Sequence, residues 1–188
     1  LYEMKFFTTI VMLLLAMPTH ATVQEPIQST FNINMTTEPV SAEISVAEQK
    51  VRSVAVKVVS SRGGHGSGSL IKYKGLTLLL TANHVADGVL GTTYYAMKDG
   101  ETKRGVLVYG NPLHDISIIY MIEEFARVVP LKYSPRHDLI GVGEEITYSG
   151  FPSAHKLMTF RGRVAGYELL NDAGIQILLH THGWFGCS

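Results

Sequence analysis

The chain has a single cysteine, Cys187, among 188 residues. No intrachain disulfide is therefore possible, and stability has to come from packing alone. Charge of one sign is lacking too. Sixteen basic residues balance 16 acidic ones, so no net field points toward nucleic acid or a membrane surface. Helix-favouring runs are scarce. The glycine cluster from Gly63 to Gly68 is followed by no P-loop lysine or helix, which argues against a phosphate-cradling loop. Of the histidines, His65, His84, His114, His137 and His155 fall in no ligand-like motif. Only His180 and His182 stand close together, a poor basis for zinc. Neither a metal nor another cofactor is expected.

What is present is apolar: 46% of residues, enough for one globular domain or two small subdomains with a real core. Val, Ile, Thr and Tyr recur in short bursts separated by glycine-containing stretches, a mostly β pattern. No internal repeat stands out.

The start reads as a targeting segment. Lys5 supplies a positive charge after Met4, the natural initiator, and Phe6 to Met17 is apolar apart from Thr8 and Thr9. Pro18 ends the run, and Thr19-His20-Ala21 is a small-x-small cleavage site, so residues 1–21 are expected to form a signal peptide. The run is about twelve residues against the ~20 a bilayer span needs, which disfavours an uncleaved anchor and with it any membrane partner. A buried core helix fits less well, because the segment is apolar all round and terminal. Export to the periplasm or medium follows, and an exported chain without disulfides leans toward a bacterial-type protein. Residues 22–50, rich in Thr, Ser, Glu, Gln and Pro, read as a polar linker. Asn34-Met35-Thr36 within it is a formal glycosylation sequon.

The ordered domain is expected over 51–188. VRSVAVKVVS from Val51 alternates and predicts a first strand. GGHGSGSLIKY leads from a glycine-rich turn into a second, and LTLLLTANHV is a buried strand ending in a small-residue turn. Further strands are predicted over Thr92 to Met97, Thr102 to Tyr109, Ile116 to Met121, Glu145 to Ser149, Leu157 to Tyr167 and Ile175 to His180. Short strands at this spacing without intervening helices indicate a sandwich or barrel.

Three segments offer parts for nucleophilic chemistry. A serine hydroxyl needs an imidazole to take its proton, a carboxylate to orient that imidazole, and backbone N–H groups aimed at the oxyanion. His84 ends the apolar strand in Leu80-Thr81-Ala82-Asn83-His84-Val85. Asp115 heads another in Asn111-Pro112-Leu113-His114-Asp115-Ile116-Ser117-Ile118-Ile119, where a turn-capping role is the alternative. Ser188 closes Gly183-Trp184-Phe185-Gly186-Cys187-Ser188, and Gly186 lets the backbone turn.

GSGSLIKYKGLTLLLTANHVADG resembles the trypsin-like serine proteases, whose G-x-G strand precedes a strand ending in T-A-x-H-V, and looks closest to their HtrA-like bacterial branch. Asp115 stands in a D-[IL]-[AS]-[IVL] setting like the family's triad aspartate. Ser188 stands where relatives carry G-[DN]-S-G-G, with Cys187 replacing Asp or Asn. VGEEITYSGFPSAH and the Phe160-Arg161-Gly162-Arg163-Val164 stretch extend the likeness more faintly, so that it runs from about Val51 to Ser188.

The resemblance implies an all-β, chymotrypsin-like double β-barrel with the boundary near 122–132 and the second barrel incomplete, its last strands missing after Ser188. It implies a serine endopeptidase acting on protein or peptide substrates through an acyl-enzyme. His84, Asp115 and Ser188 would be its triad, and the N–H groups of Gly186 and Ser188 its oxyanion hole. Six residues before the serine, His182 would sit at the base of the substrate pocket, favouring acidic or small polar side chains; a plain loop histidine is the alternative. Cys187 as nucleophile is a weaker reading than a small buried residue. His114 is expected at the surface, and Trp184 and Phe185 beneath the nucleophile loop. Two alternatives stand beside the enzyme, a catalytically inactive binding module on the same fold and a protease from a viral or phage polyprotein. As a 188-residue product the chain is expected to be inactive and poorly soluble, because its pocket and sheet edges are unfinished.

Overall fold

The structure, a computed structural model, describes residues 44–60, 63–135, 138–153, 155–170, 172 and 174–183. These residues belong to the second of the chain's two compact units, Ser41–Ser188. The expected signal segment, most of the expected linker, His137 and residues 184–188 lie outside the described residues.

The described chain begins with helix α1 (Val46–Val54), where the sequence pattern placed the end of the linker and the first half of a strand. A capping box explains the difference. The Glu48 N–H donates to Ser45 Oγ at 3.2 Å, and the Ser45 N–H donates back to Glu48 Oε2 at 2.7 Å. That reciprocal pair satisfies two of the helix's open N–H groups and outweighs the weak helix preference of its valines. At the other end the Lys98 ammonium donates to the carbonyls of Arg52 at 2.9 Å and Ala55 at 3.0 Å, closing the helix with positive charge.

From Ala55 the chain is β. Strands β1 (Ala55–Ser60), β2 (His65–Tyr73), β3 (Leu76–Thr81), β4 (Thr93–Lys98), β5 (Glu101–Asn111) and β6 (Ile116–Met121) pair antiparallel in the order β1-β4-β5-β6-β3-β2. A β1–β2 pairing closes the ring into a six-stranded barrel. The short β7 (Leu131–Lys132), absent from the sequence expectations, runs parallel to β2 beyond the part paired with β1. Inward positions alternate as the two-residue period requires. Val56, Val58, Leu70, Leu79, Tyr94, Leu107 and Ile119 form the barrel core, with Phe125 packed on it from the following segment.

The second sheet consists of β8 (Glu145–Gly150), β9 (Met158–Leu170) and β10 (Gly174–His180), antiparallel in the order β10-β9-β8. Val164 and Pro152 are buried, and the Tyr148 and Phe160 rings stack with centroids 5.1 Å apart. Every residue of β10 is exposed. A closed antiparallel barrel followed by a partial sheet is the expected chymotrypsin-like plan, with its second barrel incomplete.

Helix α1 bridges the two sheets. Glu48 receives a two-pronged bond from Arg161 on β9, Nε to Oε1 at 2.7 Å and Nη2 to Oε2 at 2.5 Å. Arg52 Nη1 donates to Thr159 Oγ1 at 2.8 Å. From the barrel, Ser67 Oγ accepts the Phe151 N–H at 2.8 Å, and His65 Nε2 donates to the Ser153 carbonyl at 2.5 Å.

Candidate active site

His84 sits in the turn after β3, where the N–H groups of Val85 and Ala86 both donate to the Ala82 carbonyl at 3.2 Å. Gly66 on β2 makes room for this turn, because a Cβ there would come within 2.4 Å of a Val85 methyl. Asp115 ends the turn before β6 with φ at +52°, a left-handed conformation that short polar side chains tolerate better than most. Asn111 shapes that turn, its Oδ1 accepting the N–H groups of Leu113 at 3.0 Å and His114 at 3.1 Å. His114 points to the surface, as expected.

The β3–β6 pairing sets Thr81 opposite Ser117 and so brings the two turns together. Asp115 Oδ1 accepts the His84 backbone N–H at 2.8 Å, and Oδ2 lies 2.7 Å from His84 Nδ1. A carboxylate can only accept, so Nδ1 carries a proton, and the tautomer this selects for an uncharged ring has its lone pair on Nε2. Partial burial alone pushes the Asp115 carboxyl up. The His84 N–H, the imidazole and the Asn83 N–H outweigh it and hold the carboxyl below its ordinary value. The His84 side chain is 62% exposed and that of Asp115 50%, so the pair acts through orientation more than through the force of a dry ion pair.

The expected site residues fall into three groups. His84 and Asp115 are brought into contact. His182 follows β10 in the second sheet, where its carbonyl accepts the Tyr148 hydroxyl. It lines a cleft of about 340 Å³ with Glu145, Arg161, Arg163, His180 and Thr181. Gly186, Cys187 and Ser188 lie outside the described residues. Among the described residues no group of three or more His, Cys, Asp or Glu is placed to hold a metal. No helix among them is long and apolar enough to cross a membrane.

Two residues beside the pair escaped the sequence reading. Asn83 Nδ2 donates to Ser117 Oγ at 2.9 Å, and Ser117 Oγ donates to the Ala86 carbonyl at 3.0 Å. The signal was a serine in core-facing register with Ile119 and Met121 on β6.

Residues 66–188 match the family model of the trypsin-like peptidase domain. The chain belongs to that family. As a trypsin-like peptidase domain it is a hydrolase of protein or peptide substrates. No curated protein matches it in sequence. Solved structures share its fold. The Rv3671c protease in an inactive form matches with a TM-score of 0.57 at 16% identity, covering 80% of this chain and 79% of that one. Deg5 matches at 0.55 and 20% identity, covering 73% and 72%. An inactive mutant form of Rv3671c from M. tuberculosis matches at 0.55 and 14%, covering 80% and 76%. At these identities the likeness speaks for the fold alone.

Proposed function

We propose that this trypsin-like peptidase is a serine endopeptidase that works through an acyl-enzyme. The observation that carries the reading is the double engagement of Asp115 by His84, through backbone N–H and through Nδ1. That geometry leaves the imidazole with its basic nitrogen at Nε2, the arrangement a general base needs. Ser188 supplies the nucleophile. Its proton passes to His84 Nε2 as Oγ attacks the peptide carbonyl, and the imidazolium then protonates the leaving amine. Asp115 holds the ring and stabilises its charged form. The N–H groups of Gly186 and Ser188 receive the oxyanion. Water then repeats the sequence on the acyl-enzyme, and the acid product leaves.

His182 belongs to the substrate pocket in this reading. Its cleft also holds Arg161 and Arg163, which pair with Glu48 and Glu145. The preference for an acidic or small polar side chain before the cut bond therefore rests on the place of His182 six residues before Ser188. Export under direction of residues 1–21 is part of the same proposal, supported by the positive start and the short apolar run.

A serine-directed fluorophosphonate probe tests the mechanism. In the complete gene product, wild type is expected to take up one label on the peptide containing Ser188, and Ser188→Ala to take up none. Equal labelling of both, or labelling elsewhere in the wild type, would overturn the assignment.

A further inference from the structure

Ser117 is fully buried on β6, two residues after Asp115 and on the core-facing side of the strand. Its hydroxyl has one proton, and that proton goes to the Ala86 carbonyl. Toward Asn83 the oxygen can therefore only accept, which fixes the Asn83 side chain with its NH₂ group on Ser117. The Asn83 amide is in turn confined by β5. Gly110 pairs with Ser117, and a Cβ on Gly110 would stand 3.0 Å from Asn83 Nδ2. Asn83 and Ala86 flank His84 on its two sides, so one buried hydroxyl grips both arms of the histidine turn. Asp115, from the head of the same strand, grips its centre.

We propose that Asn83 and Ser117 are positioning residues for His84, setting where its ring stands on Asp115. The inference rests on the reading of His84 as general base. Asp115 holds one point of the His84 backbone and one point of its ring. The Asn83–Ser117–Ala86 chain ties the residues on either side of His84 to the strand that Asp115 heads. The turn and the carboxylate are thereby set in one register. Small losses of alignment at a base reduce turnover far more than they reduce substrate binding.

The test uses the complete gene product, with a peptide substrate for kinetics and proton NMR for the His84–Asp115 hydrogen bond. Ser117→Ala and Asn83→Ala are each expected to lower kcat about tenfold with KM within about twofold of wild type. The double variant is expected to fall no lower than the weaker single one, because both remove the same attachment. In each variant the low-field resonance of the His84 Nδ1 proton shifts or broadens. A role confined to folding would lower Tm and leave kcat and the resonance unmoved, and that result overturns the proposal. If Ser117→Ala does not fold, Asn83→Ala, at a half-buried turn position, carries the test by itself. Failure of the serine mechanism reads out separately, as wild-type protein that takes no fluorophosphonate label. In that event the NMR arm still decides: a moved resonance supports positioning, and an unmoved one refutes it.

Discussion

The closed barrel and the three-stranded sheet are built from similar strands but hold themselves together differently. In the barrel every strand has at least two neighbours, and alternate side chains meet in a shared interior. In the second sheet β10 has one neighbour among the described residues and exposes all its residues, including Ile175, Ile177 and Leu179. Polar ties to α1 and to the barrel do much of the holding there, through Glu48–Arg161, Arg52–Thr159 and Ser67–Phe151. The division of labour follows. The closed region with a shared core carries the His84–Asp115 pair. The region held at its margins carries the cleft around His182.

The contrast breaks first at its most precise point. Asp115→Asn is expected to cut kcat about 10⁴-fold, the cost of losing the orienting carboxylate in a triad. Tm should change little, because the pair is half exposed; steady-state kinetics beside a thermal melt checks both halves. Next comes the barrel interior. Leu79→Ala removes a fully buried side chain and should cost about 2–5 kcal/mol in urea unfolding.

A third change addresses the tie between α1 and the second sheet. The Arg161 guanidinium, helped by the Ser45 N–H, holds the Glu48 carboxyl down at about 2, against an ordinary 4.5. A depressed carboxylate stabilises the fold fully above pH 4.5 and loses that contribution as pH falls toward 2. Wild type should therefore exceed Glu48→Gln in stability at neutral pH. The gap should close below pH 4.5, as read from urea midpoints across the acid range. The smallest effect is expected at the open edge. Ile175→Ala on β10 should shift stability by no more than about 0.5 kcal/mol. A loss as large as that of Leu79→Ala would show that the two regions are equally packed and would end the comparison.

Much of this arrangement was legible before the coordinates. The strand pattern located β2 to β6 and β8 to β10 to within a few residues, because alternation and glycine-rich turns are local signals. The histidine and aspartate were found because each ends or begins an apolar strand in a recognisable setting. The start of the domain was misread. Val51 to Val54 suits a strand by composition, but a capping box at Ser45 and Glu48, joined to Arg161 more than a hundred positions away, makes it helix. The two-residue β7 was missed because its only support is a partner strand, β2, far away in sequence.

The sequence alone determined the period of the strands, the family and the identity of the groups able to do chemistry, since these depend on side-chain type and near neighbours. Tertiary structure decided which of them meet. Asp115 reaches His84 because antiparallel pairing of β3 with β6 sets Thr81 opposite Ser117. Ser117 gains its significance the same way, as a hydroxyl that burial forces to find partners and that finds them only in the histidine turn.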